Sequence, residues 1–349
     1  MLPSRGDRAT LTLDLRGLSE PVTLREIGEY HRSATISAGR RWWSTAIVIA
    51  VYLTGQAIFL RIMMPAFGLD AAVAEAVYGG FLVFTGVYAL LLGAFIWRNT
   101  TRPVRIARTA RANGLDYRDR GPAVTDLPGT MLRESSSLLV TTDVVSSSAG
   151  AASVDARTAF TAATVGPQVA GIRRRHGIVV IPLERRTPHI VLGNRRAGVL
   201  RTSGQHFSTQ QRLSLEGDFD RTFTLYCPRG YETDALYIFT PDLMALMLDL
   251  AADCEAELID GSLVLYSAKP WRLWTERGFT RLIELVDLVG RKTRSRTELY
   301  TDSHAAIPLT VAVAGRRLRA RPSWGAIAST IVPAAFIVFG LTSMVVDLF

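Results

Sequence analysis

The sequence predicts an α+β protein: an antiparallel sheet with packed helices in a cytoplasmic domain, plus three transmembrane α-helices. Three observations lead there. Apolar stretches run over 42–64, 73–97 and 324–348, and each has the roughly 20 residues that a bilayer core requires. Arginines flank each stretch on one side only. Arg32, Arg40 and Arg41 precede the first; Arg98, Arg102, Arg105, Arg108 and Arg111 follow the second; Arg316, Arg317, Arg319 and Arg321 precede the third. Between the second and third stretches, short β-branched and alternating runs come first and helical patterns come late, the order of an antiparallel α+β domain.

Basic residues beside a span stay on the cytoplasmic side. All three clusters are satisfied by a cytoplasmic N-terminus, a hairpin of the first two spans and an extracytoplasmic C-terminus. The expected layout is a cytoplasmic tail over 1–41, a transmembrane hairpin over 42–97, a cytoplasmic domain over 98–323 and a C-terminal span over 324–349, in a bacterial plasma membrane. Only Lys269 and Lys292 are lysines, an arginine bias that fits a GC-rich bacterial genome. The net charge of +9 would ordinarily suggest nucleic acid. Here the surplus clusters beside the apolar stretches, where topology accounts for it, and no nucleic-acid partner is expected. Charges inside the stretches fall at their ends, as Arg61, Glu75 and Asp347 do. A carrier keeps ionisable groups mid-membrane, so anchoring is favoured over transport. The cysteines, Cys227 and Cys254, form no Cys-x-x-Cys pair, which leaves a zinc or redox site without support.

The elements follow in order. Thr23-Leu24-Arg25-Glu26 reads as a capping box that opens a short helix through Tyr30. Residues 98–130 read as an exit segment, turning at Asn113-Gly114, Gly121-Pro122 and Pro128-Gly129. Residues 135–166 allow a linker or exposed strands, and the strands are favoured. Strands are expected over 178–183 and 189–192. Over 222–227, Phe223, Leu225 and Cys227 share one face of a half-buried strand. Thr240-Pro241-Asp242 starts a helix with an N-cap, a first-turn proline and an acid that meets the dipole. Residues 257–267 form a hairpin turning at Asp260-Gly261. A last helix over 276–289 carries Phe279, Leu282, Ile283 and Val286 on one face, and Gly290 is expected to end it.

The densest motif is Ser214-Leu215-Glu216-Gly217-Asp218-Phe219-Asp220-Arg221-Thr222-Phe223-Thr224-Leu225-Tyr226, followed by Asp234-Ala235-Leu236-Tyr237-Ile238-Phe239-Thr240-Pro241-Asp242-Leu243-Met244. With Arg186-Thr187-Pro188-His189-Ile190-Val191-Leu192 before it and the 258–266 hairpin after it, this stretch resembles an uncharacterised family of bacterial membrane-anchored proteins, in an actinobacterial branch. The resemblance covers 177–293. It implies a membrane-anchored domain of unknown function and brings no established activity. The third apolar stretch departs from that family's two-span layout.

Chemistry-bearing patterns are sparse. Asp218 and Asp220 could hold Mg²⁺ or Mn²⁺, but no glycine-rich phosphate loop accompanies them. Alternation would put both on the solvated face of one strand. His31, His176, His189, His206 and His304 form no ligand pair at zinc spacing. His189 reads as a satisfied, partly buried histidine, and a Cys227–His206 nucleophile has no support. Trp271, Trp274 and Tyr266 read as core or interface aromatics. The runs 173–175 and 291–296 are solvated faces or lipid contacts with equal claim, while 316–321 adjoins a span. The candidate surface is therefore Glu216, Asp218, Asp220, Tyr226 and Asp234. Arg316, Arg317, Arg319 and Arg321 are candidate contacts to anionic lipid headgroups. Neither cofactor nor metal is expected. The functional reading is a non-enzymatic, membrane-tethered interaction or sensing module, with the bilayer, a protein partner or a second copy as partners. The alternatives are an enzyme acting on a phosphorylated or lipid-linked substrate, and an accessory subunit of a transport complex.

Overall fold

The computed structural model describes residues 13–33, 53–59, 71–130, 139–147, 159–167, 175–195, 207–215, 218–307 and 309–318, with positions 47, 50, 51, 62 and 132. The chain divides into two compact units, Asp14–Ala112 and Asn113–Phe349 with Met1–Leu13.

The first unit is built on one long helix. α1 (Arg16–Ser19) and α2 (Leu24–Ser33) pack on α3 (Ala71–Ala112). The capping box forms: the Thr23 N–H donates to Glu26 Oε2 at 2.7 Å, and the Glu26 N–H donates to Thr23 Oγ1 at 3.3 Å. α3 runs 42 residues without a break, about 63 Å at 1.5 Å per residue. Val73, Val77, Leu82, Val83, Phe84, Val87, Leu90, Leu91 and Phe95 are exposed along it, so this part of the helix is apolar all round. The exit segment expected after Trp97 is more of the same helix. It passes Pro103, while Thr100 and Thr101 turn their hydroxyls back onto the Ile96 and Trp97 carbonyls. It ends at Asn113-Gly114, where Gly114 has φ 67°.

The expected count of three spans is corrected. Among the described residues one helix, Glu75–Ala112 within α3, is long and apolar enough to cross a membrane. Hydropathy counts apolar side chains, whereas a span also needs an unbroken helix that satisfies its own backbone groups. Only α3 provides that among the described residues. About half of the stretch 42–64 lies outside them, and 324–348 lies wholly outside.

The second unit confirms the α+β class. A nine-stranded antiparallel sheet has the order β1-β2-β3-β4-β9-β8-β5-β7-β6. Its strands are β1 (Asp116–Arg120), β2 (Leu139–Ser147), β3 (Phe160–Pro167), β4 (His176–Pro182), β5 (Ile190–Asn194), β6 (Arg212–Leu213), β7 (Phe223–Tyr226), β8 (Cys254–Ile259) and β9 (Ser262–Ser267). The favoured strands of 135–166 are β2 and β3. β8 and β9 turn at Asp260 and Gly261, both with positive φ (52° and 77°), as a two-residue type I′ hairpin demands.

The helices are α4 (Phe219–Thr222), α5 (Glu232–Ile238), α6 (Pro241–Leu250), α7 (Glu276–Leu285) and α8 (Arg291–Thr297). Gly290 does not end the last helical region. A π-helical turn over Val286–Gly290 joins α7 to α8 and lies against β4. The chain keeps helical dihedrals through Gly290 (φ −64°, ψ −49°), and Val286, Val289 and Thr293 stay buried across the junction. Burial holds the helix where glycine alone would end it.

Both faces of the central strands are buried. Pairing puts Ile178 and Val180, Val264 and Tyr266, and Glu257 and Val191 on one face. Val124, Leu127, Leu132 and Leu318 close over that face. Val179, Ile181, Leu263, Leu265, Ala256, Leu258, Ile190 and Leu192 fill the other and are buried as well.

Candidate functional site

The sequence-predicted acids do not meet. Residues 219–222 form α4 and not a strand, so Asp218 and Asp220 do not share a strand face. Phe219 is buried beside Phe223, with ring centroids 4.9 Å apart, and a helical turn buries that pair better than alternation would. Asp218 is exposed and pairs with Arg221 at 2.7 Å. Asp220 turns back to accept from the Leu215 N–H at 3.0 Å and from the Ser214 hydroxyl. Tyr226 packs its ring on Phe207 at 5.4 Å. Asp234, on α5, accepts from the Tyr300 hydroxyl at 2.7 Å. Glu216 lies outside the described residues. Among the described residues, no three His, Cys, Asp or Glu side chains are grouped to hold a metal.

The polar groups that do converge are buried. Glu257, in the middle of β8, is fully buried and its carboxylate is surrounded by donors. His189 Nε2 lies 2.7 Å from Oε1, the Tyr266 hydroxyl donates to Oε2 at 2.6 Å, and the Thr130 N–H donates at 3.0 Å, with the Thr130 hydroxyl on Oε1. His189 Nδ1 accepts from the Leu318 N–H at 2.9 Å. Both imidazole nitrogens are therefore occupied, and neither is available to a substrate. Gly129 lets the Thr130 loop reach this carboxylate. Its φ is +129°, and a Cβ there would stand 2.1 Å from the Tyr266 hydroxyl. Glu257 was not singled out from the sequence. Its signal is a pair of acids, Glu255 and Glu257, on one face of the buried strand from Cys254 to Ile259, where buried charges need partners.

A second hub is Asp302. It accepts from the Tyr231 hydroxyl at 3.0 Å and from the N–H groups of Ala312 (2.9 Å) and His304 (2.8 Å). Burial works against its ionisation, but these donors outweigh burial and hold the carboxyl below the ordinary 3.8. Tyr231 and Tyr300 are pushed the other way, first by burial and then by the carboxylates they face.

The thiols are inert by environment. Burial pushes Cys227 up to about 12, helped by the carboxylates of Glu232 and Asp234. It pushes Cys254 to about 12 as well, helped by Asp253. Neither is a thiolate near neutral pH, as nucleophilic attack requires. His206 lies outside the described residues. Tyr266 and Trp271 are core residues, and the Trp271 indole donates to the Ile178 carbonyl at 3.1 Å.

The basic clusters separate into two kinds. On α8 and just before it the cations are neutralised: Arg291 by Asp287, Lys292 and Arg296 by Asp242, Arg294 by Glu184. Further on, Arg317 pairs with Asp260 at 2.7 Å. Arg316 donates to the Val311 carbonyl at 2.9 Å and pairs with no carboxylate among the described residues. Arg319 and Arg321 lie outside them. In the first unit, Arg108 donates to the carbonyls of Gly17 (2.8 Å) and Glu20 (3.0 Å) and to Glu26 (3.3 Å). Beside it is a cavity of about 280 Å³ lined by Glu26, Glu29, Tyr30, Val104, Ala107, Arg108 and Arg111.

No family model and no curated sequence matches the chain. A solved structure similar to it is the crystal structure of the mycobacterial trehalose monomycolate transport factor A, TtfA. The two are 12% identical with a TM-score of 0.37, and the match covers 56% of this chain and 94% of that one. At that score the likeness carries no inference about this chain's activity.

Proposed function

We propose that this chain is a membrane-anchored, non-enzymatic interaction module. Helix α3 carries the reading. Its apolar stretch is exposed on all sides, and it runs without a break into Arg98, Arg102, Arg105, Arg108 and Arg111. A helix of that kind lies in lipid, with the arginine end cytoplasmic. The sheet domain that follows is then cytoplasmic, held at the inner leaflet. Kinship with the uncharacterised bacterial membrane-anchored family belongs to the same proposal. The polar chemistry supports binding over catalysis: Asp218, Asp220 and Asp234 each have a partner, His189 is saturated, and the thiols are protonated.

Alkaline extraction of native membranes should leave the chain in the pellet, and a reporter fused in the Asp260-Gly261 turn should report a cytoplasmic location. Release at high pH or an extracytoplasmic reporter would overturn the anchoring. A metal-dependent thermal shift in the wild type that Asp218→Ala abolishes would overturn the non-enzymatic reading in favour of a metal-using enzyme.

A further inference from the structure

The loop over 299–317 is polar inside and apolar outside. Inside is the Asp302 carboxylate, which binds Tyr231, His304 and Ala312. Tyr300 is tied to Asp234 of α5. These bonds hold both flanks of the loop, so its shape does not depend on the side chains at its tip. Outside are Leu299, Ile307, Leu309 and Val313, which are 79%, 65%, 58% and 81% exposed. Leu309 sits in the left-handed region at φ 65°, just before Thr310 bonds back to the Ile307 carbonyl. Exposed Tyr237 adds its ring beside Tyr300, 6.4 Å between centroids. Single exposed aliphatics are normal on a protein surface, whereas four strongly exposed ones within one short loop mark a candidate binding face.

Charge identifies what the face meets. The only acid in 299–317 is the buried Asp302, while Arg316 and Arg317 are exposed. Asp260 neutralises Arg317, so the exposed face carries aliphatic groups and one cation unpaired with a carboxylate among the described residues, Arg316. That suits an anionic bilayer, where cations gain at the headgroups and aliphatic chains gain just beneath them. Leu, Ile and Val tips also fix no orientation, which a bilayer does not require but a protein partner does.

We propose that the 299–317 loop inserts its aliphatic tip into an anionic membrane surface, with Arg316 at the headgroups, as a second membrane contact. This rests on the anchoring of the chain by α3, because a tether holds the loop at high effective concentration near the leaflet. One weak insertion loop is then sufficient.

The buried cysteines make the test clean, since a single added surface thiol labels selectively. The full chain carrying Leu309→Cys, or in a second preparation Val313→Cys, is labelled with an environment-sensitive fluorophore and reconstituted in vesicles. Phe84→Cys on α3 and Asp119→Cys on β1 are labelled in parallel. In phosphatidylglycerol vesicles, labels at 309 and 313 should shift to the blue, lose quenching by iodide and gain quenching by lipids spin-labelled high on the acyl chain. Neutral lipid or high salt should reverse this, while the label at 119 stays aqueous. Lipid quenching at 84 but not at 309 or 313 overturns the loop proposal and leaves the anchor standing. No lipid quenching at 84 overturns the anchor itself. Iodide protection at 309 without lipid quenching shows that a second copy covers the loop, and it too overturns the proposal.

Discussion

The backbone N–H of Leu318 donates to Nδ1 of His189 at 2.9 Å, and this bond sets the direction of a whole buried network. Nδ1 is the acceptor, so the ring proton is on Nε2 and points at Glu257. Glu257 then accepts from His189, Tyr266 and Thr130. Segments far apart in the chain close on one carboxylate, which fixes the strand register where β5, β8 and β9 meet the 124–132 loop.

Glu257→Gln keeps the size of the side chain and replaces one acceptor oxygen with a donor. That donor must face His189, Tyr266 or Thr130, all of which donate. We expect it to cost about 3 kcal/mol or more, since breaking a buried charge network costs about 3–5. Tyr266→Phe removes one of several donors and should cost about 1–3 kcal/mol. Denaturant titration of the detergent-solubilised chain measures both. Equal small losses would mean that water reaches the carboxylate.

Gly129→Ala should destabilise by about 2 kcal/mol or more, because it adds a Cβ at a left-handed φ and against the Tyr266 hydroxyl. Removing that hydroxyl relieves the closer contact. The double variant Gly129→Ala, Tyr266→Phe should therefore be more stable than the sum of the two single losses predicts. Strict additivity would show that the backbone, not the hydroxyl, dominates.

Where local chemistry dictates structure, the sequence was legible. The Thr23–Glu26 capping box, the Asp260-Gly261 turn and the alternation of Phe223 and Leu225 form as their residues require, and the helix starts at Pro241 as expected, although Thr240 makes no side-chain cap bond. Elements governed by packing were not legible. Asp218-Phe219-Asp220 alternates like a strand, but burying Phe219 on Phe223 makes it a helical turn. Gly290 has the character of a helix end, but burial on either side carries the helix past it. The candidate surface failed for a related reason. Proximity along the chain is not proximity in space: the acids that gather donors are Glu257, reached by Thr130, His189 and Tyr266, and Asp302, reached by Tyr231 from a distant segment and by the nearby His304 and Ala312. His189, expected to be satisfied, finds its two partners, Leu318 and Glu257, far away in the chain.

Cys227 and Cys254 should resist maleimide at pH 7 in the folded chain, because burial holds both thiols up at about 12. Both should react at once in denaturant. Mass spectrometry after a timed pulse distinguishes the two states. Rapid labelling of Cys227 in the native chain would mean that the 227–231 segment opens readily.

Asp302 makes stability acid-sensitive. Its folded carboxyl is held below the ordinary value of 3.8, so its contribution is complete above about pH 4 and is lost as pH falls through the lower folded value. Asp302→Asn should cost about 1.5–3 kcal/mol at pH 6, the worth of hydrogen bonds to a charged group. It should also flatten the decline in melting temperature below pH 4. An unchanged acid limb in the variant would assign that limb to other carboxylates.

Arg108 joins α1 and α2 to the basic end of α3 through geometry that only a guanidinium provides. One end of it reaches the carbonyls of Gly17 and Glu20, and the other reaches Glu26. Lysine offers one point of charge in place of that fork. Arg108→Lys should keep the charge and lose at least one carbonyl bond, about 1 kcal/mol. Arg16, Arg25 and Arg32 are natural trypsin sites on the segment it holds. If cleavage follows the population of the opened segment, that loss speeds tryptic release of residues 14–33 by roughly fivefold to tenfold, with the sheet domain no less stable. Cleavage at the wild-type rate would show that Leu18 and Val22, both buried, hold the segment without the arginine.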